Sequence, residues 1–131
     1  MAFEQQPGGD PFAPLYPHQF MVLTTFRKNG NAVPTTVWFA HDNGKLYVTT
    51  SANAGKLKRV RNNGHVLLAP SDRVGNVQGD SITAHAHEVS PEEHERAQNI
   101  LRGKYGAQFD EIVRNPRVPG NARTYIEIAG A

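Results

Sequence analysis

The sequence contains no cysteine, so disulfide bonds, thiolate nucleophiles and cysteine metal sites are all excluded. It also lacks the run of about 18 apolar residues that a membrane-spanning helix needs, so we expect no membrane partner. The N-terminus has no basic segment followed by an apolar one, and we therefore expect no secretory leader and a cytoplasmic location. The formal net charge of +2 is too small to predict a general nucleic-acid-binding surface.

The 131 residues suit a single domain. Hydrophobic residues make up 38% of the chain, which is a low share, so the core is expected to be thin unless a second chain completes it. Residues 1–17 are rich in proline and glycine and predict an N-terminal arm, with Phe12, Leu15 and Tyr16 as apolar anchors. We expect the folded domain to span residues 18–131.

Three runs of β-branched and apolar residues in the first half of the chain predict an antiparallel meander, at residues 20–26, 32–40 and 46–50. The first two are joined by Asn29-Gly30, a strong hairpin signal. Because Pro34 cannot donate to a β-ladder, it predicts an edge strand or a bulge within the second run.

The second half predicts three more strands, at residues 65–69, 81–89 and 123–128. Between the last two, Ser90, Pro91 and Glu93 predict a capped helix that runs to about Lys104, and a second short helix is predicted at residues 109–114. About six antiparallel strands with short helices indicate a mainly β fold, a small β-barrel with α additions.

A short helix is predicted after the third strand. Leu57 and Val60 would share its inward face, Ser51 or Asn53 would cap its start, and Gly64 would end it in a left-handed conformation. The helix carries four cations within residues 56–61: Lys56, Lys58, Arg59 and Arg61. Because a helix N-terminus attracts anions, one interpretation is a phosphate clamp. The alternative is a solvated basic helix face.

The strand with Pro34 carries Thr35, Thr36 and Trp38. An irregularity at the proline would leave backbone groups available to a planar polar ligand. The next strand ends in Thr50, where the basic helix begins. A ligand with a ring at one end and a phosphate at the other would fit this order. The alternative is that threonine is present only because it favours β structure.

Four segments of the sequence resemble the split β-barrel proteins related to pyridoxamine-phosphate oxidase, in the branch that uses the deazaflavin coenzyme F420. They are Val-Pro-Thr-Thr-Val-Trp-Phe-Ala at residues 33–40, Gly-Lys-Leu-Tyr-Val at 44–48, the basic helix at 54–63, and Val-Leu-Leu-Ala-Pro at 66–70 followed by Asp72-Arg73. The likeness covers residues 15–90 closely. Ser71 stands where many relatives have cysteine, which leaves the substrate class open.

The resemblance implies a homodimer that binds two cofactors in grooves between the subunits. The cofactor phosphate would rest on the helix, and the ring would lie along the proline-containing strand. The implied cofactor-binding residues are Pro34, Thr35, Thr36, Val37, Trp38, Thr50, Lys56, Lys58 and Arg59.

The implied activity is an F420-dependent reductase that passes a hydride to a conjugated small-molecule acceptor, with bilin-type tetrapyrroles among the candidates. No catalytic side chain is predicted, because the cofactor itself supplies the hydride. FMN is the alternative cofactor, and a non-catalytic protein that binds a cofactor or tetrapyrrole is the alternative function.

Histidine offers a second candidate site. His85 and His87 alternate onto one strand face, and His65 lies on a neighbouring strand. Two imidazoles two residues apart on a strand can chelate zinc, and some split-barrel relatives bind haem through histidine. The spacing fixes no third ligand, and we predict no metal site. Glu92 and Glu93 are explained by the helix dipole.

Overall fold

A computed structural model describes residues 11–51, 54–113 and 123–130. A short 3-10 helix, Ala13–Leu15, precedes seven strands: β1 (Phe20–Phe26), β2 (Ala32–Trp38), β3 (Ala40–Asp42), β4 (Lys45–Ser51), β5 (His65–Ser71), β6 (Ile82–Glu88) and β7 (Arg123–Gly130). Helix α1 (Gly55–Asn62) connects β4 to β5, and α2 (His94–Tyr105) and α3 (Ala107–Val113) follow β6. The predicted mainly β fold with short helices is confirmed, with seven strands where about six were expected.

All seven strands form one antiparallel sheet in the order β2-β1-β5-β6-β7-β4-β3. Strand β2 lies at one edge, as Pro34 predicted, and β3 lies at the other. These two edge strands are consecutive in the chain and are separated by Phe39 alone. The sheet is therefore curled until its two edges meet at that residue.

The inner face of the curled sheet holds the main core. Along β1 every second side chain is fully buried, at Met21, Leu23 and Thr25, which is the period expected of a strand with one covered face. Ile126 and Ile128 of β7 complete this core from the opposite side of the barrel. A second, smaller core lies on the outer face of the sheet, beneath α2.

The predicted strand over residues 32–40 is wrong in one respect, because it is broken at Phe39. The backbone N–H of Phe39 donates to the hydroxyl of Tyr105 across 2.9 Å. That hydroxyl has one proton to share between the carbonyl oxygens of Phe39, at 2.6 Å, and Gln19, at 2.8 Å. A side chain from α2 thus replaces the β-ladder where the chain passes from one edge of the sheet to the other.

The N-terminal segment contributes to the main core. Phe12 and Leu15 are fully buried there, and Tyr16 packs against them as a partly buried residue. Residues 1–10 of the predicted arm lie outside the described residues.

Two predicted side-chain caps are wrong, although Ser90 does occupy the predicted N-cap position before Pro91. Helix α1 has Ala54 as its N-cap with no side-chain cap, Ser51 closes β4, and Asn53 lies outside the described residues. Ser90 and Glu93 form no capping box, since Pro91–Glu93 is a 3-10 helix whose N-cap makes no side-chain hydrogen bond.

Gly64 does not take the predicted left-handed conformation, because α1 ends at Asn63 in extended geometry. A Cβ on Gly64 would lie 2.6 Å from Cε1 of His85 and 2.7 Å from the carbonyl oxygen of Ala86. Glycine is therefore required here by the close approach of β6. Across residues 11–51, 54–113 and 123–130, no helix has the length and apolar character needed to cross a bilayer.

Candidate functional site

Helix α1 closes one end of the barrel. Leu57 and Val60 are buried in the main core, as predicted. Two arginines fix the helix to strands on either side: Arg59 donates from Nε to Oγ1 of Thr25 at 2.6 Å, and Arg61 donates to Glu88 at 2.8 Å. These contacts hold the start of α1 over the end of the barrel.

Lys56, Arg59 and Arg123 form a cationic cluster at the start of α1. The pKa of Lys56 is lowered by burial first, then by the charge of Arg59, and then by the charge of Arg123. Burial also lowers the pKa of Arg59, with a smaller effect from Arg27. A Cβ on Gly55 would lie 2.8 Å from Nη1 of Arg59, so this guanidinium reaches back to the first residue of the helix.

Among the residues that the structure describes, no carboxylate contributes to the pKa of Lys56, Arg59 or Arg123. Arg61 differs, because it is paired with Glu88, and its pKa is raised by that pair. Like charges held together in a partly buried place cost free energy unless an anion joins them. The cationic cluster therefore has the electrostatics of an anion-binding site.

Two polar atoms near the end of β4, where the chain leads into α1, have no hydrogen-bond partner within the described part of the chain. They are Oγ1 of Thr50, whose residue is 3% exposed, and Nε of Arg123, a residue that pairs with Ser51. The Nη1 of Arg123 lies 3.5 Å from Oγ1 of Thr49. Buried donors are normally satisfied, so these atoms fit a site that accepts a polar ligand. The start of α1 adds backbone N–H groups, and its N-cap residue, Ala54, makes no side-chain hydrogen bond to them.

The proline-containing strand is linked to this cluster through β1. Pro34 lies opposite Thr24, and Val33 lies opposite Thr25, the residue to which Arg59 donates. Facing residues of antiparallel strands are about 5 Å apart at their Cα atoms. The side chain of Arg59 is therefore bonded to a residue that faces the one before Pro34. The strand and the helix named by the sequence are therefore connected through β1, which pairs with β2 and receives the Arg59 hydrogen bond.

The side chains of β2 face two ways. Val37 is buried in the main core, so only its backbone is available to a ligand. Pro34 is exposed on the outer side, and Thr35 and Thr36 are partly buried. A Cβ on Gly75 would lie 2.7 Å from Oγ1 of Thr36, which places the loop between β5 and β6 against this threonine.

Trp38 is held on the outer face of the sheet. Its ring stacks on Tyr105 at 4.4 Å and meets Phe20 edge-on at 6.1 Å. Trp38 thus belongs to the second core, beneath α2, and is partly buried there.

Lys58 is exposed, unlike Lys56, and shares the helix with it. Arg123 was not among the predicted site residues, although its charge acts on Lys56. Nothing local marks it as a binding residue, because it is the first residue of an alternating strand. Only the register of the sheet, which pairs Arg123 with Ser51 just before α1, brings it to the cluster.

The candidate histidines lie on β5 and β6, the strands that follow α1, and β6 packs beside that helix. His65 and His85 are direct partners on β5 and β6, and the Nε2 of His87 lies 3.7 Å from Glu127. All three histidines are exposed. Among the described residues, no group of three or more histidine, aspartate or glutamate side chains is placed to hold a metal ion.

A sheet curled until its edges meet, with a helix closing one end, is a split β-barrel. The chain belongs to the pyridoxamine 5'-phosphate oxidase family, whose sequence profile matches residues 13–129. No curated protein sequence matches this chain.

Solved structures share the fold at low sequence identity. HutZ, the heme storage protein of Vibrio cholerae, aligns with a TM-score of 0.67 and 12% identity over 87% of this chain and 82% of its own. A FAD-binding protein from Mesorhizobium loti aligns with a TM-score of 0.67 and 14% identity, over 89% and 84%. General Stress Protein 26 from Bacillus anthracis aligns with a TM-score of 0.63 and 17% identity, over 91% and 85%.

Proposed function

We propose that this protein is an F420-dependent reductase that delivers a hydride to a conjugated small-molecule acceptor. The observation that carries the proposal is the cationic cluster of Lys56, Arg59 and Arg123, which has no carboxylate among its electrostatic neighbours in the described part of the chain. A deazaflavin has a ring and a phosphate-bearing tail, and Arg59 of the cluster is bonded to β1, the strand that pairs with the one expected to hold the ring. The preference for F420 within the family rests on the resemblance of residues 33–40 and 54–63. The proposal includes the cytoplasmic location expected from the sequence.

The residues present fit the phosphate of such a cofactor. Lys56 and Arg123 would bind its charge, Arg59 would do so while anchored on Thr25, and the unpartnered hydroxyl of Thr50 would donate a hydrogen bond. The exposed Lys58 would add a more distant charge. Bound reduced F420 supplies the hydride, and the protein has to orient the ring and exclude water. Pro34, Thr35 and Thr36 would orient the ring, with the backbone of Val37.

We also propose that two copies of the chain complete each site. Val74 and Val77 are the exposed large hydrophobic residues of the described chain, at 77% and 56%. They flank Gly75, which lies against Thr36 of the proposed ring-binding strand. An apolar surface beside a ligand site is typical of a subunit interface. Sedimentation of the wild type and of Val74→Asp with Val77→Asp tests this point, and a monomeric wild type would contradict it.

The first experiment is a fluorescence titration of the protein with F420 and, separately, with FMN. We expect tighter binding of F420. Lys56→Ala and Arg123→Ala should each weaken binding by about 10- to 100-fold, because a charge-assisted hydrogen bond contributes about 1.5–3 kcal/mol. The double variant Lys56→Ala with Lys58→Ala should lose at least as much as Lys56→Ala. Lys28→Ala is the matched control, since this exposed lysine lies in the hairpin before β2.

The outcomes separate the alternatives. If the affinity for FMN is higher than that for F420, and Lys56→Ala weakens FMN binding to the same extent, the site would be assigned to the flavin chemistry of the family. This alternative is favoured by the FAD-binding relative. Tight F420 binding without oxidation of reduced F420 by any of a wide range of conjugated acceptors would indicate a binding protein. Affinity that is unchanged in Lys56→Ala and in Arg123→Ala would contradict the proposed site.

A further inference from the structure

A cavity of about 840 Å³ lies on the outer face of the sheet, between edge strand β3 and helix α2. None of the residues that line it belongs to the cationic cluster or to the proposed ring-binding strand. Its walls include Tyr16, His41, Arg96, Ile100 and Lys104. This volume is large enough for a small organic ligand. The cavity is therefore separate from the proposed cofactor site.

Lys104 brings an amine to this cavity in an unusual setting. Its Nζ donates to the carbonyl oxygen of His18 at 2.8 Å and lies 3.6 Å from the centre of the Phe39 ring. Among the described residues the structure gives this amine no ion pair with a carboxylate. Burial lowers the pKa of Lys104 to about 8, so more of it is present as free amine than is usual for lysine. A lysine desolvated against apolar groups is a standard form of activated nucleophile.

An aromatic surface stands in the wall of the same cavity. The rings of Tyr16 and His41 stack at 3.6 Å with an angle of 17° between their planes. Tyr16 is two residues from His18, and the carbonyl oxygen of His18 accepts the hydrogen bond from the Lys104 amine. The amine is therefore bonded to the same chain segment that carries one of the stacked rings. Stacked rings favour a flat, conjugated ligand over an aliphatic one of the same size.

The charges of the cavity disfavour an anionic ligand. Arg96 is already paired with Asp42 at 3.3 Å and donates to the hydroxyl of Tyr47 at 3.0 Å. Glu92 and Glu95 also line the cavity. A negatively charged ligand would therefore meet carboxylates with no unpaired arginine to receive it.

We infer that this cavity binds small, uncharged aromatic aldehydes or ketones and that Lys104 reacts with their carbonyl group. The nitrogen lone pair attacks the carbonyl carbon to give a carbinolamine. Loss of water then breaks the C–O bond and forms the C=N bond of an imine. The amine gives up two protons in all, which leave with the carbonyl oxygen as water, and no oxidant or reductant is consumed.

The test is reductive trapping with benzaldehyde and sodium cyanoborohydride near neutral pH, followed by mass mapping of the labelled lysines. The exposed Lys28 and Lys58 of the same molecule serve as internal controls. We expect Lys104 to be labelled at least about 10-fold faster than either, since its lowered pKa increases the fraction of free amine. Lys104→Met should remove this adduct while leaving the slow labelling of the controls.

Two further probes examine the ligand class. Butanal should label Lys104 more slowly than benzaldehyde, and Tyr16→Leu should reduce that difference. The anionic 4-carboxybenzaldehyde should also react more slowly. Labelling of Lys104 no faster than Lys28 and Lys58 would overturn the inference, and equal rates for all three aldehydes would overturn its aromatic, uncharged ligand class. F420 affinity is measured independently, so failure here leaves the proposed function intact.

Discussion

Arg59 donates from Nε to Oγ1 of Thr25 across 2.6 Å, and this bond joins helix α1 to the strand pair that carries Pro34. Thr25 is fully buried, so the guanidinium has a fixed acceptor at the end of the barrel. The bond holds one cation of the cluster at a set distance from the proposed ring-binding strand. The same bond connects the two parts of the sequence motif, the basic helix and, through β1, the proline-containing strand.

The substitution Thr25→Val tests this connection, because valine keeps the shape and removes the hydroxyl. We expect a loss of about 1 kcal/mol in the free energy of unfolding, measured in urea, with an unchanged m-value. F420 affinity should fall because Arg59 is no longer oriented. An affinity equal to that of the wild type would show that Arg59 does not need Thr25 to bind the ligand.

Inorganic phosphate should stabilise the protein through the cationic cluster. Binding to the folded state alone raises the free energy of unfolding by about 2.7 kcal/mol when phosphate is at 100 times its Kd. Thermal melts with phosphate should therefore rise relative to chloride at equal ionic strength. The rise should be lost in Lys56→Ala and in Arg123→Ala and kept in Lys28→Ala. An equal rise in all four proteins would indicate a general salt effect.

Two glycine-to-alanine substitutions should act in opposite directions. Gly64→Ala should destabilise the fold by about 1–3 kcal/mol, because its Cβ would meet the backbone oxygen of Ala86 at 2.7 Å. Gly103 lies within α2 with nothing within 4 Å of an added Cβ, so Gly103→Ala should stabilise by about 0.5–1 kcal/mol. Urea unfolding of both variants is the measurement, and His85→Ala should not rescue Gly64→Ala. A Gly64→Ala variant at least as stable as the wild type would contradict the packing at Gly64, and a destabilised Gly103→Ala would contradict the open space at Gly103.

Tyr105→Phe should destabilise the junction of the two sheet edges. The ring still stacks on Trp38, but the N–H and carbonyl of Phe39 lose the hydroxyl that satisfies them. We expect a loss of about 1–3 kcal/mol in the free energy of unfolding. Amide hydrogen exchange should locate the loss at Phe39. Tyr125→Phe is a useful comparison, since that hydroxyl has no hydrogen-bond partner in the described part of the chain. A larger loss in Tyr125→Phe than in Tyr105→Phe would count against this role.

Lys104 should make stability rise with pH in the mildly alkaline range. Burial lowers its pKa from 10.5 to about 8 in the folded protein. Between these values the unfolded chain binds more protons than the folded one, so the free energy of unfolding increases with pH. Lys104→Met should reduce this increase and leave the part that comes from Lys56, whose pKa is also lowered by burial. The series should stop near pH 10, because burial raises the pKa of Tyr105 from 10.0 to about 12 and reverses the trend above that point. Identical slopes in wild type and variant would contradict the lowered pKa.

Sequence reasoning located the strands well because their signals are local. The alternation in β1, the turn at Asn29-Gly30 and the missing N–H of Pro34 each act over a few residues, and the structure places β2 at a sheet edge as expected. The break at Phe39 was not foreseen because its cause is Tyr105, a residue 66 positions away. The helix caps failed for a related reason, since tertiary contacts of α1 outweigh the preference for a side-chain cap.

Two parts of the candidate site can be recognised in the sequence, and their role in binding stays a prediction. The basic helix and the proline-containing strand are each visible as a motif, and β1 brings them together. Arg123 could not be found from its neighbours in sequence, because only the pairing of β7 with β4 carries it to Lys56. Similarly, nothing in the local sequence separates Lys56, which is partly buried, from Lys58, which is exposed.

The junction at Phe39 has a consequence for motion. The two edges of the sheet meet at Phe39, whose backbone is bonded to the hydroxyl of Tyr105 in α2. The same helix supplies Arg96 and Lys104 to the outer cavity. A displacement of α2 would loosen β2 and β3 together. Strand β2 and the cavity beside β3 are therefore connected through α2, and we expect a ligand bound at one of them to change the position of the other.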